Sequence, residues 1–257
     1  MEDLIRELLD GKKKPEEILE EIERRMYGSG EFNIDAGRDH RTGVPEVVIA
    51  EGKTDEQLRD ISLEFIERTG KVIISRLKGD RKDVLITALS ERFPDLRIQY
   101  EALPGFLSAK RRDCPERRNG GRVAIITAGT SDIPAAMEAE LISRESGCET
   151  LSFHDVGVAG LHRLFGPLKK IREWGADVLI VAAGREGALP TLVSGLVNIP
   201  VIGLPVSTGY GLHGKGEAAL FAMLQSCSPI AVVNIDAGFV AGAVASRMAS
   251  RCSGSRE

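Results

Sequence analysis

The sequence predicts an α/β fold in two parts: a C-terminal, doubly wound, three-layer domain on a parallel sheet, preceded by a small α/β N-terminal domain. Three observations predict it. Composition breaks near residue 120: residues 1–119 carry 49 charged side chains and 9 glycines, residues 120–257 carry 23 and 19. The second part alternates five apolar strands with helical patterns, and strands that are apolar on both faces belong to parallel sheets covered on both sides. At the break lies the polar stretch Lys110–Gly121, where Pro115 and Gly120–Gly121 oppose regular structure. The domains are read as 1–109 and 122–257, with 110–121 as a linker. Asp113 and Glu116 dilute the linker's basic cluster, so it reads as solvated, with phosphate binding as the alternative.

The first part opens with apolar residues at helical spacing over 2–10 and 15–27, Pro15 fitting a first turn. A glycine-dotted stretch, 28–43, follows. Glu46–Ala50 reads as a strand and Thr54–Thr69 as a helix capped by Thr54. Lys71–Ser75 is a strand, Arg81–Arg92 a helix stopped ahead of Pro94, and Leu96–Tyr100 a strand. In the second part the strands are Val123–Thr127, Glu149–Phe153, Asp177–Ala182, Pro200–Leu204 and Ile230–Ile235. The helices are Ile133–Ser146, Leu161–Trp174 (started or kinked by Pro167), one near Pro190–Val197, Glu217–Cys227 and Gly238–Ser250. Right-handed crossovers make this a doubly wound sheet, whose ligands bind beyond the carboxyl ends of the strands.

Composition excludes several classes. Lys+Arg is 34 against 38 Asp+Glu, a net charge of −4, which argues against a nucleic-acid protein held by a broad basic surface. No apolar run reaches the ~18 residues of a membrane span, and the N-terminus lacks the apolar stretch of a secretory signal. A cytoplasmic location is expected. Cys114, Cys148, Cys227 and Cys252 form no C-x-x-C pair, so neither a zinc site nor a disulfide framework is indicated.

Chemistry is expected at the strand ends. After the first strand of the second part, Gly129-Thr130-Ser131-Asp132 offers a tight turn, hydroxyls and free amides for an anion; Asp132 is read equally as a helix cap. His154 and Asp155 follow the second strand, as a proton-transfer pair or a polar rim. Gly184-Arg185-Glu186-Gly187 follows the third, and Glu186 suits acid/base work or a helix-start charge. After the fourth strand, Gly209, Gly214 and Lys215 nearly match a phosphate-binding P-loop, but Gly216 stands where Ser or Thr should hold magnesium. Nucleoside triphosphate hydrolysis is therefore rejected, while phosphate contact stays plausible. Cys227 by itself reads as a small core residue, and a helix C-terminus disfavours its thiolate. It also precedes its strand, which puts it at the opposite sheet end from Ser131 and Glu186.

At Gly129–Asp132, Ala183-Gly184 through Leu189-Pro190, and Asn198–Val206, the second part resembles the aminoimidazole-ribonucleotide carboxylase/mutase fold. Those purine enzymes carry a His directly before the Leu-Pro, where this chain has Ala188. The whole chain is more similar to the LarB family, pyridinium-3,5-dicarboxylate mononucleotide synthases. The likeness runs through Arg41–Val48 with Gly52-Lys53-Thr54, Asp155–Gly160, Arg185–Pro190 and Asn234–Phe239.

That resemblance implies nicotinic acid adenine dinucleotide and carbon dioxide as substrates. The ring is carboxylated and the phosphoanhydride hydrolysed, releasing AMP, on the way to a nickel-pincer cofactor used by lactate racemase. It implies Cys227 and Glu186 as the catalytic pair. Gly129, Thr130, Ser131, Asp132, His154, Asp155, Gly184, His213 and Lys215 are expected around the substrate. Lys215 or Mg2+ is the expected charge neutraliser, with no ligand set for the metal and no organic cofactor. A homo-octamer is expected, without nucleic-acid or membrane partners. The alternatives are a purine-type carboxylase/mutase and a dinucleotide-binding sensor without turnover.

Overall fold

A computed structural model describes residues 2–19, 34–208 and 214–254. The chain forms two compact units, Met1–Tyr100 with Leu107–Cys114 and Glu101–Phe106 with Pro115–Glu257. None of the described helices is long and apolar enough to cross a membrane.

The first unit contains helices α1 (Glu2–Leu9), α2 (Arg38–Thr42), α3 (Asp55–Thr69) and α4 (Gly79–Arg92), and strands β1 (Val48–Ile49), β2 (Lys71–Ser75), β3 (Leu96–Glu101) and β4 (Phe106–Arg111). The sheet order is β1-β2-β4-β3, with β1 parallel and β4 antiparallel to β2. Helix α3 begins where its capping residues require. The Thr54 hydroxyl accepts from the Gln57 amide at 3.2 Å, and the Gln57 side chain accepts from the Thr54 amide at 3.1 Å. Such a cap contributes about 1 kcal/mol. Gly70, at φ 76°, ends the helix in the left-handed region. Leu58, Phe65 and Ile66 of α3 bury against Val72 and Ile74 of β2 and Leu107 and Ala109 of β4.

Strand β4 runs into the stretch read from the sequence as linker. Lys110 and Arg111, assigned to the linker, close β4, with Lys110 paired to Lys71. The strand expected over Glu46–Ala50 is reduced to Val48–Ile49. Of the helix expected over 15–27, residues 15–19 are helical and 20–27 lie outside the described residues.

The second unit is the expected alternation: β5 (Arg122–Thr127), α5 (Ile133–Glu145), β6 (Glu149–Phe153), α6 (His162–Trp174), β7 (Val178–Ala183), α7 (Ala188–Ser194), β8 (Val201–Pro205), α8 (Glu217–Leu224), β9 (Ile230–Val232) and α9 (Gly238–Ser253). All pairings are parallel, in the order β6-β5-β7-β8-β9. Side chains alternate between faces along a strand, and here both faces are dry. Val123, Ile125, Val178 and Ile180 pack on Ala135 and Ala139 of α5 and Ala241, Ala245 and Ala249 of α9. Ala124, Ile126, Leu179 and Val181 pack on Leu164, Leu168 and Ile171 of α6, Leu189 and Val193 of α7, and Met223 of α8. The three layers follow from that double burial.

Small residues bring α9 against α5. A Cβ at Gly238 would lie 2.3 Å from the Ala135 carbonyl oxygen, and one at Gly242 2.4 Å from that of Ala139. One proline position and one helix boundary also differ from expectation. Pro167 lies inside a continuous α6 rather than starting it. Helix α8 stops at Leu224, so Cys227 stands in the turn before β9 instead of ending a helix.

Candidate active site

The strand order reverses direction at β5: β6 lies on one side, and β7, β8 and β9 follow on the other. In such a sheet the crevice opens between the first strand and the neighbour on its far side, here beyond the ends of β5 and β7. The loops leaving these strands carry Gly129–Asp132 and Gly184–Gly187.

Thr130–Asp132 forms a 3-10 turn that runs directly into α5. Thr130 and Ser131 are exposed, and Asp132 is buried. The Asp132 side chain makes no cap bond to α5. It turns back and accepts the Gly129 amide at 2.8 Å, fixing the loop from within. Burial pushes the Asp132 carboxyl above the ordinary carboxylate range. The Gly129 amide and the Thr208 hydroxyl pull it back down, and the charge of Glu186 pushes it further up. Asp132, Thr208 and Glu186 thus interact across three loops.

Gly184 is buried at the end of β7, while Arg185 and Glu186 are exposed beyond it. Gly187, at φ 64°, turns the chain into α7. Any Cβ there would sit 2.6 Å from the Ala219 carbonyl oxygen, so the turn that aims Glu186 requires glycine. Ala188, the first residue of α7, is partly buried.

The loop after β8 supplies Thr208, whose hydroxyl donates to the Ser131 carbonyl at 3.2 Å. Lys215 is exposed at the far end of the same loop. His213, expected beside the substrate, lies outside the described residues. His154 and Asp155 are exposed at the end of β6. They do not form a closed pair: the Asp155 carboxylate takes the Arg163 guanidinium at 2.6 Å. The Asp155 amide donates to the Thr127 hydroxyl at 3.2 Å, which ties the β6 turn to β5.

Cys227 is exposed and is not part of this cluster. It precedes Ile230, which pairs with Val201 at the starts of the strands. Glu186 follows the other end of β7. Among the described residues, no group of three or more His, Cys, Asp or Glu side chains is arranged to hold a metal ion. The sequence assigns no site role to Thr208, Arg163 or Asp236, the last of which accepts the Ser207 amide at 2.9 Å. Thr208 and Asp236 act through contacts between loops far apart in the sequence, which spacing along the chain does not reveal, and Arg163 reaches Asp155 from the first turn of α6.

Comparison with known proteins agrees with this architecture. Residues 122–255 match the family described as AIR carboxylase, and residues 26–111 match the LarB/PurE-like N-terminal domain. An uncharacterized protein of Methanocaldococcus jannaschii is 39% identical over 253 residues, covering 97% of this chain and 96% of the relative. An N5-carboxyaminoimidazole ribonucleotide mutase of Thermotoga maritima is 31% identical over 128 residues, 48% of this chain and 72% of the relative. The corresponding mutase of Aquifex aeolicus is 30% identical over 132 residues, 50% of this chain and 76% of the relative.

Proposed function

The chain belongs to the LarB family, with a C-terminal domain of the AIR carboxylase type, and from that premise we propose that it carboxylates the pyridinium ring of nicotinic acid adenine dinucleotide and hydrolyses its phosphoanhydride. The products are pyridinium-3,5-dicarboxylate mononucleotide and AMP. The observation that carries this reading is local. Glu186 stands at the carboxyl end of β7, and the residue that opens α7 ahead of Leu189-Pro190 is Ala188, where the purine enzymes have His. A carboxylate is offered at that strand end, and an imidazole is not.

A pyridinium ring is too electron-poor to attack carbon dioxide. In the proposed reaction the Cys227 thiolate adds to ring carbon 6 and converts the ring to a dienamine. Carbon 5 then attacks carbon dioxide. Glu186 removes the proton from carbon 5, and expulsion of the thiolate restores aromaticity. One hard step becomes several easier ones. The Gly129–Asp132 loop, with exposed hydroxyls on Thr130 and Ser131 and a backbone fixed by Asp132, suits the phosphate-bearing part of the dinucleotide. Water cleaves the phosphoanhydride, and Lys215 is the chain's own cation for the charge that develops there. The described residues do not fit a magnesium ion held by protein ligands alone, so no step is routed through one.

Within one chain Cys227 and Glu186 lie at opposite sheet ends, so we propose a site shared between subunits rather than one closed by a sharp bend of a single chain. A neighbouring subunit that presents its own Cys227 to the β5–β7 crevice completes the site, which makes a homo-oligomer, an octamer by resemblance, part of the proposal. The mutase relatives favour one second reading, aminoimidazole ribonucleotide carboxylase or mutase activity, and Ala188 opposes it. One experiment separates them: incubate the protein with the dinucleotide, bicarbonate and magnesium, then with aminoimidazole ribonucleotide and bicarbonate, and read the products by mass. AMP with a ring-carboxylated mononucleotide is expected. Turnover of aminoimidazole ribonucleotide alone establishes the second reading, and no AMP from the dinucleotide overturns the first.

A further inference from the structure

We infer that Asp236 is a positioning residue that holds the nucleotide-facing loops in register, giving a role to the Asn234–Phe239 segment; what those loops bind rests on the function proposed above. Asp236 brackets Val206. Its amide donates to the Pro205 carbonyl and its carboxylate accepts the Ser207 amide, both at 2.9 Å. The chain leaving β8 is therefore stapled on either side of one residue. Asp236 reaches both partners because its backbone is left-handed, at φ 53°. Asp and Asn tolerate that region better than most residues.

The neighbouring Ile235 holds the other described end of the same loop. A Cβ at Gly216 would come 2.7 Å from the Ile235 Cγ2 and 3.1 Å from the Val206 carbonyl oxygen, so Gly216 is pressed against both. Thr208, next to the stapled Ser207, reaches the Ser131 carbonyl and interacts with the Asp132 carboxyl. Asp132 in turn holds the Gly129 amide. A continuous chain of contacts thus runs from Asp236 through Ser207 and Thr208 to Ser131, Asp132 and Gly129.

Asp236 has its own footing. Just beyond it the Phe239 amide donates to the buried Glu138 carboxylate at 3.2 Å, pinning the start of α9 to α5. The acceptor at Asp236 is therefore tied, three residues on, to the packed pair of helices α5 and α9.

Amide hydrogen exchange on the full-length protein tests this without substrate. In Asp236→Ala the Ser207 and Gly129 amides should exchange roughly tenfold faster, the scale of one lost hydrogen bond. Asp236→Asn keeps an acceptor and should restore protection at both. Thr208→Val breaks the chain further along and should speed Gly129 while leaving Ser207 protected. Unchanged Gly129 exchange in a folded Asp236→Ala overturns the inference, whatever Thr208→Val shows. If Asp236→Ala fails to melt cooperatively, Thr208→Val decides alone. In turnover assays, Asp236→Ala should raise KM for the dinucleotide more than it lowers kcat, with Asp236→Asn restoring KM. A wild type inert toward the dinucleotide removes the function proposed above, and the exchange result still stands or falls by itself.

Discussion

Cys227 and Glu186 lie at opposite ends of one parallel sheet: Cys227 just ahead of Ile230, which pairs with Val201 where the strands begin, and Glu186 just past Ala183, where β7 ends and pairs with Pro205. Under the proposed mechanism, with the site shared between subunits, the covalent adduct on one side chain and proton removal by the other would draw on two copies of the chain. Oligomers co-assembled from Cys227→Ser and Glu186→Gln chains should recover activity that neither variant has alone, up to about a quarter of wild type by random pairing. Recovery is read as carboxylated product from co-expressed, doubly tagged protein. No recovery from mixed oligomers of confirmed composition puts both groups in one chain.

Glu186→Gln keeps the shape of the side chain and removes the base. Carboxylated product should fall by about 100-fold or more, the usual scale of acid/base catalysis, while the dinucleotide still binds. Calorimetry and product assay on the same preparation check the two halves. Product formation near the wild-type rate leaves Glu186 only a helix-start charge.

Cys227→Ser should fold normally, since the residue is exposed in a turn, and should yield no carboxylated product, because serine is a far weaker nucleophile at neutral pH. Mass spectrometry of the wild type with dinucleotide but no bicarbonate should find an adduct on Cys227 and none on the buried Cys148, whose thiol is pushed up by burial. An active Cys227→Ser enzyme ends the covalent mechanism.

The Asp132 carboxyl is held above the ordinary carboxylate range by burial, so the folded state binds its proton more tightly than the unfolded chain does. Stability from this group is therefore greatest at low pH and declines as pH rises from the unfolded pKa through the folded one. Asp132→Asn keeps an acceptor for the Gly129 amide and cannot ionise. Its Tm relative to wild type should climb over that window and level off above it. A constant difference between pH 4 and 8 would show that the carboxylate is not strained in the fold.

Much of the fold was legible because its signals are local. Thr54 and Gln57 announce the start of α3 by the capping geometry they form, and the apolar runs at 123–127 and 178–183 mark two central strands buried on both faces. Strand β4 is hidden because its last residues, Lys110 and Arg111, open a run of charge that reads as linker, although both belong to the strand and Lys110 pairs with Lys71. The sequence extends helix α8 to Cys227, at helical spacing, while the chain leaves the helix after Leu224. The site was legible as a set of loops and not as a set of contacts. Thr208 and Ser131 stand 77 positions apart, and Asp155 takes Arg163 rather than its neighbour His154.

The glycines that let α9 lie on α5 bear on tolerance to change. With 2.3 Å and 2.4 Å to the opposing carbonyl oxygens from a Cβ at Gly238 and Gly242, even a methyl group must lift the helix. Asp236 stands just ahead of that helix, so the lift is delivered to the crevice by leverage. Alanine at Gly242, remote from any reacting atom, should therefore leave a soluble, folded and poorly active protein. The inner helical layer works as a datum surface from which the loops are measured, and errors in it surface as catalytic defects far away.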